Sequence, residues 1–323
     1  MPLSSVLSLV IPTFNRAELL DRCLSLQVPV ARLFDVPIYI SDNASTDATA
    51  EVIGKWKQIY PHIESRRNAS TVDADANFEF AFKMPSTDFV WLLGDTYNIS
   101  VACMQSFFDT VGDVDRLPVD ALVFNMNGRV NDVPSGVFTE QNALLSQLAW
   151  HMTCMSTLVY SRELLKAANF HRYRNTYFLQ LGIILENIEG RPFRIVWDDS
   201  VSVSGIVRRG EQKQGWQPLT FHIWIERWMN FAFSLPASYS LDAKYLCIKK
   251  HGAKSGVFGW KSLVLLRATG ILEFATIRRY WRHFPNTVSL PRLGLLAFAI
   301  TPRLIPKIIV SLYLKFVRRK DAS

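Results

Sequence analysis

Along the first 125 residues, short runs that are apolar throughout alternate with longer stretches whose apolar positions recur at helical spacing. Val6-Leu7-Ser8-Leu9-Val10-Ile11 is apolar, rich in β-branched residues and stopped by Pro12, so it reads as a strand. Leu19, Leu20, Cys23, Leu24 and Leu26 then fall near helical spacing, with Asn15 placed to cap the helix. The unit repeats. Val36–Ser41 is a second apolar run, Asp42–Asp47 is rich in turn and cap residues, and Ala50, Val52, Ile53 and Trp56 mark a helix over Ala48–Tyr60. A further helix is expected over Ala74–Lys83, followed by a strand Phe89-Val90-Trp91-Leu92-Leu93 that runs into Gly94-Asp95. Uniformly apolar strands separated by helices imply a parallel sheet covered on both faces.

After Val119–Phe124, read as one more strand, the pattern loosens through residue 259, where Arg, Trp and Tyr are frequent. From Trp260 onward apolar and basic clusters alternate. The expected organisation is an α/β domain over 1–259, with a nucleotide-binding half (1–125) and an acceptor half (126–259), and a basic amphipathic helical tail (260–323). Composition supports a folded chain: of 323 residues 49% are hydrophobic and 20% charged, which excludes disorder and collagen-like repeats. Net charge is +8, yet residues 260–323 hold 12 basic and 2 acidic side chains, so the positive excess lies in the tail. The four cysteines form no CxxC pair and the histidines show no HxxxH or HxH spacing, which argues against a zinc cage or a disulfide framework. A reducing, cytoplasmic setting fits these features, and Val6–Ile11 is read as a strand rather than a leader.

In a parallel α/β sheet, ligands sit outside the carboxyl ends of the strands. Here those ends carry Pro12-Thr13-Phe14-Asn15-Arg16, Asp42-Asn43-Ala44-Ser45-Thr46-Asp47 and Gly94-Asp95-Thr96-Tyr97. Leu9–Arg16 followed by Ser41–Asp47 resembles the opening of family 2 glycosyltransferases of the GT-A fold, a Rossmann-like, mostly parallel sheet with flanking helices. The Asp-Asn-Ala-Ser-Thr-Asp form is similar to abequosyltransferase-like enzymes of bacterial O-antigen and polysaccharide assembly. The resemblance implies sugar transfer from a nucleotide-sugar donor to a lipid-linked or growing saccharide acceptor. It implies that Pro12, Thr13 and Asn15 line the base pocket, that Asp42 accepts from base or ribose, and that Asn77 and Gly94 contact the nucleotide. Asp95 stands at the family's metal-binding acidic motif, where Mg²⁺ or Mn²⁺ would offset the departing diphosphate. Read from residue type alone, Asp42–Asp47 also suits an ordinary helix cap.

Two departures from the family pattern stand out. Thr96 and Tyr97 replace the later acids of the metal motif, and Asn175-Thr176 fall where inverting members carry Glu-Asp. Candidates for the proton acceptor are His171, Asp198 and Asp199. Arg208 and Arg209 suit an acceptor phosphate or the donor diphosphate. Neither a P-loop nor a GxSxG elbow occurs, which disfavours a phosphate-hydrolysing motor and an α/β-hydrolase. In the tail, Leu293–Thr301 is uncharged, but Pro302, Arg303, Pro306 and Lys307 interrupt the apolar pattern short of a spanning length. Residues 260–323 are therefore expected to lie on an anionic membrane surface, peripheral on the inner face of the plasma membrane, or else to pack on the catalytic domain. Nucleic acid is not an expected partner. A catalytically impaired GT-A-like scaffold is the alternative to an enzyme.

Overall fold

The computed structural model describes residues 5–112, 118–206 and 217–320, with backbone alone from 314 onward. Among them nine strands join in one sheet: β1 (Leu7–Thr13), β2 (Ile38–Asp42), β3 (Ile63–Arg67), β4 (Phe89–Leu92), β5 (Tyr97–Asn98), β6 (Ala121–Met126), β7 (Gly136–Phe138), β8 (Leu158–Ser161) and β9 (Ile195–Gly205). The order is β3-β2-β1-β4-β8-β6-β9-β5, with β7 also paired to β9. The arm β3-β2-β1-β4 is parallel throughout, as the uniformly apolar runs predict. Beyond it the sheet is mixed. β8 enters between β4 and β6 antiparallel to both, β6 and β9 are parallel, and β5 and β7 run against β9. The expectation of a mostly parallel sheet therefore holds for the first half only.

Seven helices accompany this sheet: α1 (Ala17–Leu33), α2 (Thr49–Ile59), α3 (Ala74–Phe82), α4 (Val101–Val111), α5 (Gln141–Gln147), α6 (Arg162–Ala167) and α7 (Leu179–Asn187). Leu7, Leu9 and Ile11 share one face of β1 and join Leu20, Leu24 and Ala31 of α1 and Met104 and Phe107 of α4 in a continuous core. Each of these Leu, Ile, Met and Phe side chains, fully buried, contributes about 1.5–3 kcal/mol. This core fixes where β1, β2 and β4 end, and hence where their loops begin. β3 carries no apolar run: Ile63 alone of its five residues is buried. It is an edge strand, and its charges suit an open edge.

By contacts the chain divides into two compact units, Met1–Arg208 with Leu235–Tyr239, and Arg209–Ser234 with Ser240–Ser323. The division falls well before the boundary expected at 259, because Phe221, Ile225 and Phe258 share a core with the tail. That second unit contains α8 (Trp228–Ser234), α9 (Leu241–Lys254), α10 (Trp260–Ala268), α11 (Phe274–Tyr280), α12 (Phe284–Thr287), α13 (Arg292–Ile300) and α14 (Leu304–Lys320). Phe221, Ile225 and Phe258 close on Leu263, Leu266, Ile277, Tyr280, Phe284 and Leu295.

Candidate functional site

Three loops leave the carboxyl ends of the adjacent strands β1, β2 and β4. The β1–β4 ladder stops at Val10↔Leu92, so Pro12, which has no N–H, sits where β1 is open on one side. Thr13 is the register partner of Asp42, and its hydroxyl donates to Asp95 Oδ2 at 3.2 Å. Thr13, Asp42 and Asp95 thus gather at one edge, where the three loops form a cradle.

Asp95 is buried, with its side chain 5% exposed, and Arg16 Nη1 donates to its Oδ1 at 2.9 Å. Burial pushes the Asp95 carboxyl above its usual range, against the opposing pull of the Arg16 guanidinium and the Thr13 hydroxyl. Gly94 is held by its own N–H, which donates to Ser156 Oγ at 3.0 Å. A Cβ at Gly94 would meet the Tyr97 ring at 3.3 Å and Ser156 Oγ at 3.4 Å. The turn is closely packed as well as sharp.

Asp42 is equally buried and pairs with Arg67 of β3, Nη1 to Oδ2 at 3.2 Å. Its Oδ1 accepts the Ser45 N–H at 3.0 Å, and Arg67 Nη2 donates to the Ser45 carbonyl at 2.6 Å. Asn15 does not cap α1. It takes a left-handed backbone, φ 51°, which asparagine tolerates better than most residues. Its Oδ1 accepts from Thr46 N at 2.7 Å while its own N–H donates to Ser45 Oγ at 2.9 Å. The acceptor expected from Asn15 comes instead from Asp47, whose Oδ2 takes the Ala17 N–H at 3.0 Å and whose Oδ1 takes the Thr49 N–H at 3.1 Å. Asp47 therefore serves the start of α1 and of α2 together, and the Asp42–Asp47 loop is cap and cradle wall at once.

Asn77 on α3 braces the wall from behind. Its Oδ1 accepts from Ser41 Oγ at 2.7 Å and Asn68 Nδ2 at 3.1 Å, and its Nδ2 donates to the Ser41 carbonyl at 3.2 Å. Two residues earlier, Asp75 accepts the Asn175 N–H, and burial lifts its carboxyl to about 6. Asn175 and Tyr177 both have positive φ, 59° and 70°, so the segment expected to carry the proton acceptor is a strained loop tied to α3. Thr176 Oγ1 donates to the Tyr173 carbonyl at 2.7 Å and accepts the Phe178 N–H at 3.1 Å.

The remaining expected residues stand elsewhere. His171 lines a separate cavity of about 480 Å³ with Glu79, Lys83, Arg162, Lys166 and Arg174, and no residue of the cradle borders it. Asp199 lies exposed in β9, where Ser135 donates to it through both N–H and hydroxyl. Asp198 is engaged by Ser106 and Ser200. None of these hydrogen bonds reaches the cradle. Arg208 and Arg209 lie outside the described residues. Arg16, Arg67 and Asp75 join the site without an expected role: Arg16 lies inside the Pro12–Arg16 motif, while Arg67 and Asp75 carry no signal in the sequence beyond their charge.

A hard divalent cation in a diphosphate site takes one or two carboxylates, with phosphate and water oxygens completing its shell. Among the described residues no group of three or more His, Cys, Asp or Glu gathers to hold a metal. Asp95 offers one carboxylate, with Thr96 and Tyr97 after it, so the residues present suit an ion that arrives with phosphate and not a preformed cage.

Residues 8–166 match the family model "Glycosyl transferase family 2". Over 114 residues the chain is 35% identical to abequosyltransferase RfbV of Salmonella typhimurium, which covers 34% of this chain and 34% of that protein, about a third of its length. S. aureus TarS 1–349 in complex with UDP-GlcNAc superposes with TM-score 0.54 at 15% identity, covering 83% of this chain and 80% of that one. Mannosyltransferase PcManGT from Pyrobaculum calidifontis, in complex with GDP-Man and Mn²⁺, gives TM-score 0.56 at 15% identity over 90% and 78% of the two chains. The mixed sheet, its flanking helices and the polar loops of β1, β2 and β4 thus make residues 8–166 a glycosyl transferase family 2 domain, set in a GT-A fold.

Proposed function

We propose that this chain is a glycosyltransferase that moves a sugar from a nucleotide-sugar donor to a lipid-linked or growing saccharide in cell-surface polysaccharide synthesis, working at the cytoplasmic face of the plasma membrane. The observation that carries the reading is the convergence of Thr13, Asp42 and Asp95, register partners or hydrogen-bonded neighbours at one sheet edge. In the transfer, an acceptor hydroxyl oxygen bonds to the anomeric carbon and its proton is released to water, while the bond from that carbon to the diphosphate oxygen breaks and the nucleoside diphosphate departs with the bonding electron pair. Pro12, Thr13 and Asn15 line the base side of the cradle, and Asp42 retains lone pairs for base or ribose donors. Arg16 presents guanidinium N–H groups matched to phosphate oxygens. Asp95 is the residue that would hold Mg²⁺ or Mn²⁺, which supplies charge compensation for the leaving diphosphate when bound.

The relatives' names support the class: one is an abequosyltransferase, and the solved neighbours hold UDP-GlcNAc or GDP-Man. The test is release of nucleoside diphosphate in the presence of acceptor, for the parent and for Asp95→Asn. Removing one electrostatic contact of this kind lowers turnover by about 100-fold or more, with the melting temperature retained. A parent that binds nucleoside diphosphates yet releases none from any sugar donor would instead be the non-catalytic scaffold.

A further inference from the structure

The second unit ends in a helix whose apolar side faces outward. In α14, Leu304, Ile305, Ile308, Ile309 and Leu312 are all exposed, Leu304 by 68% and Leu312 by 61%. At 3.6 residues per turn they occupy one stripe, about 140° wide. Pro306, on the other side, is buried and Val310 is half-buried, and α14 packs on α10. The helix is therefore inverted relative to an ordinary surface helix, which turns its apolar stripe inward. A loose end does not account for this. Arg267 Nε of α10 donates to the Thr301 carbonyl at 2.8 Å, and Arg303 forms an ion pair with Glu273, so the corner entering α14 is pinned in place. Around that corner α13 and the described part of α14 bend by 93°, and Leu293 and Ile300 of α13 are exposed as well. Among the described residues no single helix is long and apolar enough to cross a membrane.

A contiguous exposed apolar face of this size calls for an occupant. Charge selects it. Arg292 and Lys307 lie on the two helices, and Lys315, Arg318, Arg319 and Lys320 follow in sequence, within a segment holding 12 basic and 2 acidic residues. A second copy of the same face would bring like charges together; an anionic lipid surface would meet them with opposite charge. We propose that the α13–α14 corner is a monotopic membrane wedge, with Leu304, Ile305, Ile308, Ile309 and Leu312 entering the acyl boundary of an anionic leaflet and the flanking cations at its headgroups. This names the element and residues of the membrane contact assumed in the proposed function, and rests on that reading only for its biological setting.

The test uses the full chain and vesicles of phosphatidylcholine with or without phosphatidylglycerol, in sedimentation without donor or acceptor, so it is independent of any transferase activity. Binding is expected to anionic vesicles in preference to neutral ones. Ile308→Asp with Ile309→Asp should lower it by about 100-fold or more, since each aliphatic side chain withdrawn from water contributes about 1.5–3 kcal/mol, a factor of ten or more. Lys307→Glu keeps the apolar face and should lower binding more than fivefold, at about 1 kcal/mol per cation removed. Circular dichroism and the thermal melt of each variant establish that it is folded. Equal binding of folded variants and parent would overturn the proposal. So would an absence of binding to anionic vesicles, or a self-association of the parent that the double variant abolishes.

Discussion

Replacing Arg16 by Met removes the cation beside a buried carboxylate and keeps the aliphatic stem. A hydrogen bond to a charged group contributes about 1.5–3 kcal/mol. With the Arg16 side chain 39% exposed, solvent screening places this pair at the low end, about 1.5 kcal/mol. The loss of this cation raises the Asp95 pKa further. The folded-state pKa of Asp95 already lies above its ordinary value, so its contribution to stability is present at low pH and is lost as pH rises through the folded pKa. In Arg16→Met that loss continues to higher pH and goes deeper. The variant's deficit should be about 1.5 kcal/mol in alkaline buffer, where the carboxylate is charged, and should shrink as the buffer is acidified and the carboxyl becomes neutral in both proteins. Urea unfolding of parent and variant across that range measures it. A deficit independent of pH would refute the reasoning, since it would mean that Arg16 acts by packing and not through the charge of Asp95.

Asp75→Asn tests a second buried carboxyl. Because burial lifts Asp75 to about 6, the parent should lose stability as pH rises from about 4 to about 7, by on the order of 3 kcal/mol. The asparagine variant should lack that decline and be the more stable protein at pH 8; an identical slope in both would exclude Asp75 as its source. Gly252→Ala in α9 places a Cβ 1.7 Å from the Thr287 backbone carbonyl oxygen of α12, so the two helices must part. Its cost should exceed the usual 1–3 kcal/mol (roughly) of an overpacked core, read as a lower melting temperature. Gly54→Ala in α2, where a Cβ meets nothing within 4 Å, should stabilise by about 0.8–1 kcal/mol. Stabilisation by both alanines would show that helix propensity, not the α9–α12 approach, decides.

The parallel arm of the sheet was legible because burial on both faces leaves a mark in sequence: β1 and β4 are apolar at nearly every position, and β2 is apolar from Ile38 to Ile40. β3 left no such mark. Ile63-Glu64-Ser65-Arg66-Arg67 is a strand because β2 pairs with it, and an edge strand has little to bury. The direction of β8 between β4 and β6 is a tertiary choice that four residues cannot announce. In the site, the loop residues that share a strand end were readable from spacing, while their partners were not. Arg16 meets Asp95 only because β1 and β4 are neighbours, and Arg67 meets Asp42 only because β3 exists. Asp75 reads as an acidic first-turn residue behind its cap Asp73; the Asn175 loop, far along the chain, covers it.

One property of the cradle follows from how its two ion pairs are built. In each, the carboxylate is buried and the guanidinium stands partly in solvent: Asp95 and Arg16 are 5% and 39% exposed, Asp42 and Arg67 3% and 51%. On the proposed reading, an incoming diphosphate therefore meets arginine before aspartate. The buried acids hold the cations in place, and the exposed N–H groups remain for phosphate oxygens. A motif reduced to one acid at Asp95 is consistent with this division of labour, because part of the positive charge the leaving group requires is already carried by the chain itself.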